Sequence, residues 1–311
     1  MLQALLDSPG AQAVTELRAQ TLAALVFLLE RAGSLVAAGR YAEDGVAIAR
    51  ATGGHCLGDL LQLRAWVLLR LGQRDAALPV LESGLDVARR LGDLPLTGRL
   101  LGSRAYAAFL VGDNAAAARD AAEATQLYRQ SGDLTNTGVY LGNLGMYELA
   151  AGDLEAARTH MAEALDIART INIRSSLVFD TQHLGLAEYL SANLAESQAL
   201  FAESLDLARQ AGMKVEVAYA LLGLALASRD QAEPGRSARL HGAADQALAD
   251  VAHTWDPLER RLADQDRQRL QAILGDDAFA AEYAAGTALD PAQVLATPEA
   301  QSPHPAAGLG L

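Results

Sequence analysis

Cysteine is almost absent: Cys56 is the only one in 311 residues, so no internal disulfide can form and a reducing compartment is expected. Lysine is as scarce, with Lys214 in "AGMKV" standing alone. The chain therefore has no G-x-x-x-x-G-K-[ST] loop to cradle phosphates. Positive charge is short overall, with 25 basic against 38 acidic residues and a formal net charge of −13. That balance repels a polyphosphate, so neither direct nucleic-acid binding nor attachment to an anionic membrane is expected. Long apolar runs are missing too. "LAALVFLL" at 22–29 is the longest and cannot span a bilayer, and the N-terminus lacks the basic region and small-residue cleavage site of a secretory signal. The expected location is cytoplasmic.

Metal and nucleophile chemistry also lack their residues. His55, His160, His183, His241, His253 and His304 include no pair at ligand spacing, and only His55 adjoins Cys56. Sequence neighbours seldom face one another productively, and no third group orients that pair. "DRQRLQAILGDDAFAAEY" has the outline of a helix-turn-helix bending at Gly275. Its second helix, however, carries Asp276, Asp277 and Glu282 and no basic residue, the wrong charge for a phosphate backbone. The chain reads as a non-enzyme with no cofactor and no metal.

What the chain does have is apolar residues, 51% of the total, and a period. "LVGDNAAAARDAAEATQLYRQ" and "AAGDLEAARTHMAEALDIART" place Gly112 and Gly152 forty residues apart, with Gly72 before them and Ala192 and Ala232 after. A second series, Gly92, Gly132, Asn172 and Gly212, keeps the same beat. Glycine enters the left-handed region that closes a helix, and asparagine tolerates it best among other residues. Small residues recur as Ala65, Ala105, Gly145, Gly185 and Ala225, then as Ala77, Ala117, Ala157, Ser197 and Ser237, where two helices must approach closely. Downstream of the turn at Gly152 the apolar residues Leu154, Ala157, Met161, Ala164, Leu165 and Ala168 form one helical stripe. Asp86 with Arg89, Asp166 with Arg169 and Asp206 with Arg209 are spaced as surface ion pairs. The first unit is expected to turn at Gly39, 33 residues before Gly72 and so off the beat. The pattern predicts an all-α solenoid of about six antiparallel helix pairs, each burying against its neighbours the face it cannot bury alone.

"LGNLGMYELAAGDLEAARTHMAEALDIAR" at 141–169 resembles a tetratricopeptide repeat, with its Leu-x-x-Leu-Gly helix, Gly-Asp turn and alanines in the second helix. The family's usual unit is about 34 residues. Longer helices look like the C-terminal sensor region of LuxR-type and MalT-like bacterial signal-transduction ATPases. The closing stretch 240–296 is similar to the end of many such regulators, with Asp256-Pro257 and Asp290-Pro291 supplying cap and first-turn proline. "LQALLDSPG" looks like the tail of a second helix, as if the chain began inside a longer solenoid. The expected organisation is a partial preceding repeat over 1–20, a solenoid over 21–245, a helical cap over 246–296 and a disordered tail over 297–311. The resemblance implies a right-handed superhelix.

The resemblance further implies a concave groove lined by the first helix of each pair. One row there runs Trp66, Tyr106, Met146, Leu186 and Leu226, and a neighbouring row runs Ser103, Asn143 and His183. The family precedent has an asparagine in this row, here Asn143, bonding a ligand backbone. Gln62, Arg70, Arg99, Phe179, Gln182 and Tyr219 complete the candidate lining. Helical packing is the competing account of the apolar members. The two-lysine carboxylate clamp of chaperone adaptors is missing, so an acidic C-terminal peptide is not the favoured ligand. The function expected is effector sensing or protein interaction in a bacterial regulator, through a protein or peptide in the groove. The alternatives are a quorum-sensing-type peptide receptor and a scaffold that forms homodimers through its N-terminal helix.

Overall fold

The computed structural model describes residues 13–230 and 233–289. These residues form fourteen helices and no strand. In pairs they are α1 (Glu16–Arg31) and α2 (Leu35–Thr52), α3 (Leu57–Arg70) and α4 (Arg74–Leu91), α5 (Leu94–Phe109) and α6 (Asn114–Ser131), α7 (Leu134–Ala151) and α8 (Leu154–Ile171), α9 (Arg174–Leu190) and α10 (Leu194–Ala211), α11 (Lys214–Asp230) and α12 (Pro234–Ala249), and α13 (Pro257–Leu274) and α14 (Asp276–Thr287). The segments "LQALLDSPG" and 297–311, together with Ala232 and Asp290-Pro291, lie outside the described residues.

The helix ends follow from the turn chemistry. Gly92, Gly132 and Gly152 take positive φ at the ends of α4, α6 and α7, and Asn172 does the same after α8 at φ 53°. After Gly92, Gly112, Gly132 and Gly152 the next residue caps the following helix: Asp93, Asp113, Asp133 and Asp153 each accept a backbone N–H from three residues on. Ala192 holds a left-handed conformation, φ 62°, where its counterparts are glycine. The first unit turns at Gly33, φ 74°, and not at Gly39, which lies inside α2. Gly33 stands 39 residues before Gly72, so this unit departs from the beat by one residue.

The chain divides into two compact units, residues 1–176 and 177–311. In the first, each second helix packs on the first helix of the following pair, and α3 also touches α1 and α5. Ala65, Ala77, Ala105, Ala117 and Ala157 of the small-residue rows have no exposed surface. Leu81, Leu85, Leu100 and Leu101 fill the space between α4 and α5, each stabilising the fold by about 1.5–3 kcal/mol through burial. Arg89 does not pair with Asp86; it reaches Glu123 one repeat on, at 3.7 Å, and Arg129 likewise reaches Glu163 at 2.5 Å. The Asp206–Arg209 pair forms at 3.7 Å.

In the second unit Ser197 and Ser237 occupy the same small-residue row, fully buried, and Ser197 Oγ donates to the Gly185 carbonyl at 2.9 Å. The end of this unit abandons the regular stacking. Helix α14 packs along α12, and their backbones meet at Gly242 and Gly286. A Cβ on Gly242 would stand 2.1 Å from the Tyr283 carbonyl oxygen, and one on Gly286 1.9 Å from that of Arg239. Helix α13 rests against α11, where Ala263 joins Leu222 and Leu226 in a core cluster flanked by Trp255 and Tyr189.

Candidate functional site

The first helices of the first unit carry eight of the twelve anticipated lining residues. Gln62, Trp66 and Arg70 sit on α3, Arg99, Ser103 and Tyr106 on α5, and Asn143 and Met146 on α7. Successive helices are joined along this face. The Trp66 and Tyr106 rings lie 5.4 Å apart at 46°, a separation at which tilted aromatic pairs attract. Gln62 Nε2 approaches Ser103 Oγ at 3.5 Å. Trp66 Nε1 donates to Glu30 of α1 at 3.1 Å, and Arg70 donates to the same carboxylate at 2.7 Å. Arg99 reaches Asp59 of α3 at 2.5 Å. Asn143 is exposed, while Met146, Trp66 and Tyr106 are half-buried.

Two consequences follow for what this face offers a ligand. Its arginines are already neutralised by Glu30 and Asp59, so net charge contributes little. The remaining surface is aromatic, thioether and amide, a composition suited to holding apolar side chains and a peptide backbone. Phe27, 50% exposed on α1, belongs to the same row: with the turn at Gly33 it falls one 39-residue step before Trp66. The mistaken turn at Gly39 hid it.

In the second unit Phe179, Gln182 and His183 lie on α9 and Tyr219 on α11. The Phe179 and His183 rings stack at 6.5 Å, and Gln182 Nε2 donates to the Glu216 carbonyl at 2.5 Å. Burial lowers the His183 pKa to about 4, so its ring is neutral. Beside it Asp180, unremarked in the sequence, is 7% exposed, and burial raises its carboxyl to about 7. Tyr219 is engaged in packing: its hydroxyl donates to Asp256 at 2.8 Å and its ring lies 5.1 Å from that of Trp255. Leu186 and Leu226 are buried.

Two further clusters lie elsewhere in this unit. Trp255, Arg260, Arg261, Asp264, Gln265 and Gln268 line an open cleft of about 580 Å³. Ser237, His241 and Asp266 bring a hydroxyl, an imidazole and a carboxylate together, with His241 Nε2 at 2.9 Å and Ser237 Oγ at 3.4 Å from Asp266 Oδ2. All three are at most 2% exposed, and both other groups address the carboxylate, so the arrangement ties α12 to α13 and presents no nucleophile to a substrate. Among the described residues no three His, Cys, Asp or Glu side chains gather as metal ligands, and no helix is long and apolar enough to cross a membrane.

No family model matches the sequence, and no curated protein does. Solved structures do. The chain is similar to BtubC from P. vanneervenii, with 16% identity and a TM-score of 0.61, covering 74% of this chain and 94% of that one. It is similar to a signal-transduction ATPase with a tetratricopeptide repeat sensor from Pyrococcus horikoshii, with 12% identity and a TM-score of 0.67, covering 86% of this chain and 42% of that one. A Rap protein complexed with competence and sporulation factor matches at 12% identity and a TM-score of 0.59, over 86% and 77% of the two chains. At these identities the likeness concerns the fold. Its helix pairs, turn chemistry and small-residue rows give this chain a tetratricopeptide-like helical-repeat fold.

Proposed function

We propose that the chain is a non-catalytic recognition module of a bacterial signalling or transcriptional regulator, which senses an effector by binding a protein or peptide across the first-helix face. The observation that carries this reading is the linked face of α1, α3 and α5. Trp66 and Tyr106 are half-buried and in mutual contact, Asn143 is exposed on the next first helix, α7, and the neighbouring arginines are internally paired. Such a surface holds a partner through aromatic anchors and amide hydrogen bonds. The likeness to a signal-transduction ATPase with a tetratricopeptide repeat sensor and to a Rap protein complexed with competence and sporulation factor supports a sensing role. The test is affinity capture with the full chain, comparing wild type with a Trp66→Ala, Tyr106→Ala, Asn143→Ala variant of equal helicity. Ligands retained by wild type and lost by the variant are expected; identical retention by both removes this face from the function.

A second reading, self-association at the N-terminal end, draws on the exposed stripe of α1. Leu17, Phe27 and Leu28 are 73%, 50% and 56% exposed, and Val36 at the start of α2 is 79% exposed. Leu28 occupies the position that Val67 and Ala107 fill without any exposure in the next two repeats. Light scattering distinguishes the two readings: a dimer that becomes a monomer on Leu28→Glu supports self-association, and a monomeric wild type removes it.

A further inference from the structure

Compared repeat by repeat, α9 departs from its counterparts at the positions that stack. The row Leu60, Leu100, Tyr140, Asp180, Ala220 and the row Leu61, Leu101, Leu141, Thr181, Leu221 each recur every forty residues. All of these except the half-buried Tyr140 are buried. Only α9 places a carboxyl and an aliphatic hydroxyl in these rows. Neither is satisfied: Thr181 Oγ1 is buried without a hydrogen bond, and among the described residues no hydrogen bond or ion pair reaches Asp180. One turn on, His183 Nδ1 is also buried with no partner. Thr181 Oγ1 and His183 Nδ1 are thus cut off from solvent with no partner, and a buried polar group left unpaired calls for an explanation such as a missing ligand atom or water.

The neighbouring side chains specify the ligand. Phe179 is 40% exposed and stacks on the His183 ring, which gives a partly open aromatic surface on the same helix as the lone carboxyl. Gln182 spends its amide nitrogen on the Glu216 carbonyl and keeps its oxygen as an acceptor. An aromatic face beside an unpaired carboxyl and further acceptors complements a planar cation with several N–H donors. A guanidinium fits better than an ammonium, because it is more weakly hydrated, stacks on rings and forks onto a carboxylate. The net charge of −13 favours a basic partner at long range. We propose that the strip of α9 bearing Phe179, Asp180 and His183 is the subsite for an arginine side chain of the partner peptide, with Asp180 as its counter-charge. This assignment rests on the reading of the first helices as the recognition surface and adds the residue that the surface reads.

The test uses two pools of pentapeptides, randomised at four positions, whose central residue is arginine in one pool and citrulline, its uncharged isostere, in the other. Each is passed over the immobilised full chain as wild type, Asp180→Asn and Phe179→Ala, and retained peptides are quantified by mass spectrometry. Wild type is expected to retain the arginine pool roughly tenfold better, the size of one charge-assisted pair. Asp180→Asn should abolish the preference and Phe179→Ala should weaken it. Equal retention of both pools by wild type overturns the arginine subsite and leaves the recognition surface standing; retention of neither overturns both. A preference that survives in Asp180→Asn also overturns the proposal. Should Asp180→Asn fail to match wild-type helicity, Phe179→Ala, altered at an exposed ring, decides the outcome.

Discussion

The indole N–H of Trp66 is held by Glu30 at 3.1 Å, and the same carboxylate receives Arg70 at 2.7 Å. One acidic side chain on α1 thus fixes both the aromatic anchor and the charge of α3. Glu30→Gln removes the charge from this node. In a Trp255→Phe background, where Trp66 is the only tryptophan, its fluorescence should shift to the red and become more accessible to acrylamide. Arg70 is 42% exposed, so the stability loss should stay near 1 kcal/mol. An unchanged emission spectrum would show that the indole orientation is set by Tyr106 alone.

Asp180 and His183 make opposite demands on pH. The Asp180 carboxyl is raised from 3.8 to about 7, so the folded state holds a proton that the unfolded state has released, and stability is lost as pH rises from about 4 to 7. The His183 pKa is lowered from 6.5 to about 4, so there the unfolded state binds the proton, and stability is lost as pH falls from 6.5 to about 4. The two slopes oppose one another across the shared range. Asp180→Leu, which installs the residue of the equivalent rows in α3 and α5, should raise the urea midpoint. Its advantage over wild type should grow from pH 4 to pH 7, to about 2 kcal/mol. An advantage independent of pH would mean that the carboxyl titrates near its ordinary value.

Ala192 carries a positive φ of 62° that its counterparts Gly72, Gly112 and Gly152 adopt without strain. Ala192→Gly should therefore stabilise the protein by about 1 kcal/mol, and Gly152→Ala should destabilise it by at least as much. Thermal denaturation of the two variants checks the pair. A lower melting temperature for Ala192→Gly would refute the strain.

At the end of the second unit, Gly242→Ala has no room, with the Tyr283 carbonyl oxygen 2.1 Å from the new methyl. Helix α14 must move off α12, exposing Phe279 and Leu270, which are now buried. Limited proteolysis should then cut within 276–287 while the first unit stays intact; wild-type resistance there would show that the backbones separate without undocking.

The helix pairs and the left-handed turns were legible because one backbone requirement recurs at a fixed interval and few residues satisfy it. Asn172 shows this most clearly, since it replaces glycine where the conformation persists. The first unit was misread because its turn, "AGS", lacks the aspartate that marks the later ones, while Gly39 offered a glycine at a plausible place inside a helix. Of the lining residues, Trp66, Tyr106 and Asn143 follow from the period. Tyr219 does not, because the residues that engage it, Trp255 and Asp256, lie 36 and 37 positions away and outside the repeat. Asp180 left a signal that row-by-row comparison reads, a carboxyl where the other repeats carry leucine, tyrosine or alanine.

The one-residue shortfall between Gly33 and Gly72 falls within the stretch from Gly53 to Gly72, which holds the shortest first helix of the first unit, α3 at 14 residues. The turns from Gly72 to Gly212 nevertheless keep the forty-residue interval. Each left-handed turn ends one helix and lets the next begin afresh, so a deletion is absorbed within the pair that suffers it. Length variation in such a chain is local, and the rows of side chains that cross the helices survive changes that would shift a continuous coiled coil out of register.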